Sequence, residues 1–388
     1  MKAIRAAMAM LSLLQAVAGA RTLWRLWRSR RGPRISARAD DPASAGLVSV
    51  IVPVLNERQR LAPCLDGLLI QGLAVAEILV VDGGSQDGTP ELVAQYAGRE
   101  PRLKLLAAGP PPTNWNGKAW QLQHGIEHCA PTTRWLLTID ADVRPAAQLS
   151  SALLATALAH DLAALSVATR QELRGTGLGV LHPALLTTLV YRFGIPGRVA
   201  RRVGDVQANG QCFLVQREAL QTIDGMATAR ASRCEDVTLA RALVRAGIPV
   251  GFFETEALAA VEMYVNAADA WRNWPRSLPM RDHFWNRRAL LALSEVVLAQ
   301  ALPLPVCLLL SSVPWSGPVA GLARAINTVL LIARLGVLIG MRRAYRRPPW
   351  SYWLSPAFDL PVTVRLIASA LQPHQRWRGR ILVAEGMS

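Results

Sequence analysis

The feature that most limits what this chain can fold into is an alternation running from Leu47 to Phe253. Short apolar runs at 47–54, 77–81, 103–107, 134–139, 162–168, 212–216 and 250–253 are interleaved with longer amphipathic stretches at 60–71, 89–97, 120–128 and 237–246. A parallel partner strand is reached only through a crossover long enough to cover a face of the sheet, so this pattern predicts parallel pairing. The strand runs are apolar nearly throughout, as strands covered by helices on both faces must be. The predicted fold is α/β, with a Rossmann-like, mostly parallel sheet. Open sheets of this kind hold ligands beyond the carboxyl ends of their strands. The residues just after each run are therefore the candidates for chemistry.

The run Trp135–Ile139 ends in Asp140-Ala141-Asp142. Alternation puts both carboxylates on one side, where they can share a hard divalent cation such as Mg²⁺ or Mn²⁺ while a substrate phosphate supplies further oxygens. After the first run, Pro53, Asn56 and Glu57 form a polar turn against which a nucleotide fits. After the second, Asp82-Gly83-Gly84-Ser85 allows close backbone approach, and Asp82 can accept from a nucleobase or ribose donor. Lys118, in Asn116-Gly117-Lys118-Ala119-Trp120, opens a helix where it can meet a phosphate. Glu235 and Asp236 open another, and either can serve as a general base toward an acceptor hydroxyl. Read in isolation, D-x-D is also an acidic turn and D-G-G-S a helix-capping turn. Lys118 is equally a solvated cation, and Glu235-Asp236 a pair complementing a helix dipole.

The formal net charge is +16, and lysine occurs only at Lys2, Lys104 and Lys118. Such a balance calls for an anionic partner. The arginine clusters at 21–38, 281–288 and 342–347 flank apolar segments, and no helix-turn-helix or basic–aromatic single-strand motif is present, which favours a membrane bilayer over nucleic acid. Residues 3–20 form an apolar run. Lys2, Arg5 and Ala18-Gly19-Ala20 fit a cleavable signal, but the charge follows the run far more than it precedes it. That order favours an uncleaved anchor, with the next domain cytoplasmic at the cell (inner, plasma) membrane. Residues 289–312 and 317–340 are each long enough to cross a bilayer as a hairpin. Arg324 and Arg334 inside the second must snorkel or face the bundle, and 358–371 reads as interfacial. The five cysteines show no C-x-x-C spacing, which fits a reducing compartment, and Cys234 reads as a bystander.

Taken in order, V-S-V-I-V-P-V-L-N-E, V-V-D-G-G-S-Q-D-G-T, G-K-A-W, D-A-D, N-G-Q-C-F-L-V-Q-R-E-A-L and E-D-V-T-L-A resemble the family 2 glycosyltransferases of the GT-A fold over about 47–253. The apolar tail makes the chain most similar to the subgroup that glycosylates carotenoids, hopanoids or related isoprenoid lipids. The resemblance implies a hexosyltransferase that takes sugar from a nucleotide-diphosphate sugar, usually a UDP-sugar, and inverts the anomeric carbon on transfer to a membrane lipid hydroxyl. It implies nucleoside contacts at Pro53, Asn56, Glu57 and Asp82, and a donor-side role for Lys118. Asp140 is implied at the ribose and metal, Asp142 as principal metal ligand and Asp236 as catalytic base, with Glu235 the alternative. Arg272 and Arg276 fall where relatives place cations near the diphosphate. Two departures stand out. Asp82-Gly83 replaces the consecutive aspartates of many members, which weakens the expectation of uridine. The Q-x-x-R-W of processive polysaccharide synthases is not reproduced by Arg272-Asn273-Trp274-Pro275-Arg276, which favours single transfer over chain building. A non-catalytic, nucleotide-binding membrane scaffold is the alternative from another class, and the retained carboxylates argue against it. The expected organisation is an anchor and basic linker at 1–45, a GT-A domain at 46–265, an Arg/Trp-rich collar at 266–288, and membrane or interfacial helices with a basic tail at 289–388.

Overall fold

A computed structural model describes residues 2–30, 32–232, 234–274, 287–371, 374–377 and 380–383. They cluster into two compact units, one built from 32–171 and 196–263, the other from 1–31, 172–195 and 264–383.

The first unit is α/β. Its strands are β1 (Arg34–Ile35), β2 (Val48–Val54), β3 (Val75–Asp82), β4 (Leu103–Ala107), β5 (Trp135–Ile139), β6 (Val143–Pro145), β7 (Ala164–Ala168), β8 (Arg170–Gln171), β9 (Arg198–Ala200), β10 (Cys212–Gln216), β11 (Val250–Thr255) and β12 (Ala259–Val261). The main sheet runs β1-β11-β7-β10-β5-β2-β3-β4, with β9 on β11, and a smaller sheet runs β6-β12-β8. Pairing in the main sheet is parallel except that β10 opposes β5 and β7, and β9 opposes β11. The chain reaches β10 only after an excursion through 172–195 in the other unit, not through one crossover helix, so the rule that enforces parallel pairing does not apply there.

Helices α2 (Arg58–Leu69), α3 (Thr89–Ala97), α4 (Gly117–His128), α5 (Leu149–Ala159), α7 (Arg217–Gln221) and α8 (Glu235–Arg245) flank the sheet. Alternation along β2 divides the core. Val50 and Val52 pack with Leu61, Leu65 and Leu68 of α2, whereas Ile51 packs with Leu122 of α4 and Leu239 and Leu243 of α8. Each leucine so buried contributes about 1.5–3 kcal/mol. Register places the site: Val54 lies beside Asp82 and Ile139 beside Cys212, so the chain ends beyond these strands emerge at one edge.

The second unit contains α1 (Lys2–Ser29), α6 (Gly175–Phe193), α9 (Ala267–Asn273), α10 (Arg287–Val296), α11 (Pro303–Ser312), α12 (Pro318–Met341) and α13 (Asp359–Leu371). Four helical stretches, Lys2–Ser29, Arg287–Ser312, Pro318–Ala344 and Trp350–Leu371, are long and apolar enough to cross a membrane. The last differs from the sequence expectation of a short interfacial segment, because a 3₁₀ stretch at Trp350–Phe358 leads directly into α13. Exposed Leu13, Leu14 and Val17 on α1, and Val329, Ile332, Leu335 and Ile339 on α12, form apolar faces of the kind lipid-facing helices present.

Several buried polar groups inside this unit pair with one another. Gln15 and Asn327 exchange amide hydrogen bonds of 2.8 and 3.0 Å, and Leu330 packs against Gly19 one turn on, so α1 and α12 run in the same direction. Arg21 and Arg25 both reach buried Glu295. Arg334 is 1% exposed and donates to both carboxylate oxygens of Asp359, at 2.8 and 3.0 Å, while Gln300 donates to the same group. It therefore faces the bundle. Arg324 instead reaches the carbonyls of Leu310 and Trp315 near the helix start.

Candidate active site

Beyond β5 the chain turns through Asp140-Ala141-Asp142 into β6. The Asp140 amide donates to the Gln211 carbonyl at 3.1 Å, a continuation of the β5–β10 register, and the Val143 amide closes the turn on the Asp140 carbonyl at 3.1 Å. Lys118 lies in the first turn of α4, and its Nζ is 2.7 Å from Asp140 Oδ1 and 2.7 Å from Glu235 Oε1. Glu235 and Asp236 form the first turn of α8. The Gly210 amide donates to Asp236 Oδ2 at 2.6 Å. The structure thus gathers Lys118, Asp140, Glu235 and Asp236 into one cluster, with Asp142 next to it and Glu57 close enough to act on both aspartates.

The electrostatics follow from burial and crowding. Burial pushes the Asp142 carboxyl up to about 7, reinforced by Asp140 and Glu57 and opposed by Arg60 and Lys118. Burial also raises Asp140, against the pull of Lys118. Asp236 is pushed up to about 6, by burial first and then by Glu235, while Lys118 and the amides of Val237 and Gly210 pull it down. Burial disfavours the Lys118 ammonium, yet Asp140 and Glu235 outweigh it and hold that group well above its ordinary value.

The first two loops are stitched to each other. Asn56, at φ 56°, accepts from the Gln86 amide at 2.8 Å, and its own amide donates to Ser85 Oγ at 2.8 Å. The Glu57 amide donates to Thr89 Oγ1 at 2.9 Å and the Arg58 amide to Asp87 at 3.0 Å. Asp82 turns back on its own loop and accepts from the amides of Gly84 and Ser85 and from the Ser85 hydroxyl. Its carboxylate shapes that turn rather than capping α3, whose first amide, at Thr89, donates to Asp87 at 3.0 Å. Pro53 is buried in β2 beside Val81. Arg272 belongs to the other unit, on α9, where its Nε donates to the Ala268 carbonyl at 3.3 Å. Arg276 lies outside the described residues.

Four residues have parts in the site that their place in the sequence does not assign, although Gly210 and Gln211 stand in the N-G-Q-C-F-L motif. Arg60 acts on Asp142 from the first turn of α2. Gly210 and Gln211 hold Asp236 and Asp140, and because they do so through backbone atoms, residue type alone does not signal it. Cys64 places its thiol 3.7 Å from the Asp140 carbonyl, and all five cysteines are free.

Among the described residues no group of three or more His, Cys, Asp or Glu forms a ready metal cage. Asp142 Oδ1, however, is buried without a hydrogen-bond partner, amid an excess of carboxylates over Lys118 and Arg60. A hard, partly open oxygen site of that kind fits a divalent cation whose remaining ligands come from a substrate phosphate.

The α/β sheet thus gathers paired carboxylates, a lysine and a candidate base beyond its strand ends, an arrangement able to hold a cation and an anionic ligand side by side. Residues 49–224, a little under half of the chain, match the Glycosyl transferase family 2 model, and over that stretch the chain is similar to that family. Among curated relatives, Glycosyltransferase AglE of Haloferax volcanii is 43% identical over 61 residues, 15% of this chain and 20% of that protein. Lipopolysaccharide core biosynthesis glycosyltransferase LpsC of Rhizobium meliloti is 34% identical over 97 residues, 25% of this chain and 32% of that protein. The matched stretches thus span a fifth to a third of these two relatives. Among solved structures, mannosyltransferase PcManGT from Pyrobaculum calidifontis, in complex with GDP-Man and Mn²⁺, superposes with a TM-score of 0.52 at 19% identity. The match covers 94% of this chain and 97% of that one. That likeness is one of fold.

Proposed function

We propose that this protein is an inverting glycosyltransferase that moves a hexose from a nucleotide-diphosphate sugar, a UDP-sugar by the family resemblance, to a hydroxyl of a membrane lipid. The observation that carries the reading is the division of the carboxylate cluster. Asp142 offers an unpartnered buried oxygen on one side, and Asp236 sits on the other with its carboxyl pushed up to about 6, near the working pH that suits a general base. Lys118 occupies Glu235, which leaves Asp236 as the base.

In this mechanism Asp236 takes the proton of the acceptor hydroxyl as its oxygen bonds to the anomeric carbon. The bond from that carbon to the diphosphate oxygen breaks on the opposite face and its electron pair leaves with the diphosphate, so configuration inverts. Asp142 and Asp140 would hold the divalent cation, whose bound charge offsets that developing on the diphosphate. Lys118 adds a fixed cation beside Asp140. Glu57, Pro53 and the stitched loops around Asn56 and Asp82 shape the nucleoside pocket.

Four helices able to cross a membrane support a lipid acceptor, of which an isoprenoid alcohol is the class the resemblance suggests. The arginines at the α1 and α12 ends support a catalytic domain on the cytoplasmic face of the cell membrane. The test is incubation of membranes containing the protein with labelled nucleotide sugars, lipid extraction and mass analysis. Label in a discrete glycolipid, lost in Asp236→Asn, is expected; label only in high-molecular-weight polymer, or in no product, would sink the reading.

A further inference from the structure

The cluster is held from beneath by three consecutive residues that belong to neither half of it. Gln211, through its carbonyl, accepts the Asp140 amide at 3.1 Å, and Gly210, through its amide, donates to Asp236 Oδ2 at 2.6 Å. A single peptide unit thus separates the tie to the metal-side aspartate from the tie to the base. The segment is itself anchored. The Asn209 amide donates to Ser166 Oγ at 2.7 Å, that hydroxyl donates back to the Asn209 carbonyl at 3.1 Å, and the Gln211 amide donates to Asn209 Oδ1 at 3.2 Å. Gln211 Oε1 accepts from Thr169 Oγ1 and from Asn209 Nδ2. Ser166, Thr169 and Gln211 are all buried, so the anchor is protected from competing water.

Gly210 makes a close approach to the site residues that leaves little room for a side chain. A Cβ on it would lie 3.1 Å from Lys118 Nζ, 3.1 Å from Glu235 Oε1 and 3.3 Å from Asp236 Cβ, tighter than ordinary contact on three site residues together. A side chain there would crowd the Lys118 ammonium, the Glu235 carboxylate and the Asp236 Cβ, each of which would have to give by a few tenths of an ångström.

We propose that Asn209-Gly210-Gln211 is a positioning bridge that sets the separation between the leaving-group side of the site at Asp140 and the base at Asp236, with Gly210 as its close-contact point. The inference rests on the transferase reading. In-line displacement needs base and leaving group on opposite faces of one carbon, and a misplacement of about 1 Å costs on the order of 10²-fold in rate. Gly210 and Gln211 act through Asp236 and Asp140 and are positioning residues.

The test uses the full-length protein, purified in detergent, with the nucleotide sugar and lipid that wild-type membranes turn over. Gly210→Ala is expected to lower kcat about 10- to 100-fold while the Kd of Mn²⁺–UDP, read by calorimetry, stays within about threefold. In an Asp236→Asn background the same change is expected to cost clearly less, because a large part of its effect passes through that carboxylate. Thr169→Val loosens Gln211 without adding bulk beside Lys118 and is expected to lower kcat about 3- to 10-fold through the Gln211 tie to Asp140, a loss suppressed in an Asp140→Asn background; it decides the matter should Gly210→Ala not fold. Wild-type kcat in these variants, or an equal loss with and without Asp236 for Gly210→Ala and with and without Asp140 for Thr169→Val, overturns the bridge. Failure of the transferase reading shows separately, as absence of wild-type turnover or full activity in Asp236→Asn alone.

Discussion

The Lys118 ammonium lies 2.7 Å from the Glu235 carboxylate and bridges the acidic start of α8 to Asp140 beyond β5. The two acids it joins lie 95 residues apart in the chain, Asp140 to Glu235. Lys118→Met leaves those carboxylates facing each other without a counter-charge. It is expected to lower kcat by about 10²–10³-fold, with Lys118→Arg recovering only part, since the larger planar guanidinium does not fit between them. Steady-state kinetics on the two variants, with thermal unfolding to verify folding, checks this.

Asp236 sets the acid limb of the pH profile. Its carboxyl is pushed up to about 6, and a base works only when ionised, so kcat/KM should rise with pH through about 6 and level off above it. Asp236→Asn should lose about 10²–10⁴-fold in kcat and abolish that limb, whereas Glu235→Gln should keep it. A limb near the ordinary carboxylate range, or one that survives in Asp236→Asn, contradicts the assignment.

Asp142 should decide metal binding. With its buried oxygen unpartnered, Asp142→Asn removes the charge without changing shape, and is expected to weaken Mn²⁺ binding in the presence of UDP by about tenfold or more. Electron paramagnetic resonance titration of free Mn²⁺ measures this directly. Chelation by EDTA should stop transfer, and Mn²⁺ or Mg²⁺ should restore it.

Arg334 and Asp359 form a pair buried on both sides, with side chains 1% and 2% exposed. Removing one partner strands a charge, so Asp359→Leu alone is expected to destabilise by about 3–5 kcal/mol, and the double change Arg334→Met/Asp359→Leu to recover much of it. Thermal unfolding in detergent distinguishes the two; equal loss in single and double variants would mean that the pair is not what Arg334 contributes.

Much of this architecture was legible in the chain. The alternation between 47 and 253 predicted β2, β3, β4, β5, β7, β10 and β11 and helices α2, α3, α4 and α8, but not the two- and three-residue strands β6, β8, β9 and β12; a place after a strand marked Asp140 and Asp142, and a place at a helix start marked Lys118 and Glu235-Asp236. The helices at 149–159 and 175–193 were not read, because their nearly uniform apolar character carries no amphipathic stripe. Composition likewise marked apolar runs near both ends, but not that Gln15 and Asn327 pair, or that 172–195 joins their unit.

By itself the sequence determined which residues could stand at the edge of the sheet, because strand and helix periods are properties of neighbouring positions. Only the tertiary structure decided what those residues do to one another. It spent Asp82 and Asn56 on stitching loops, paired Lys118 with Glu235, and suspended Asp140 and Asp236 from the backbone of Gly210 and Gln211. Such choices depend on register between strands distant in the chain and on burial, which sets the strength of each charge. Neither is encoded at any single position.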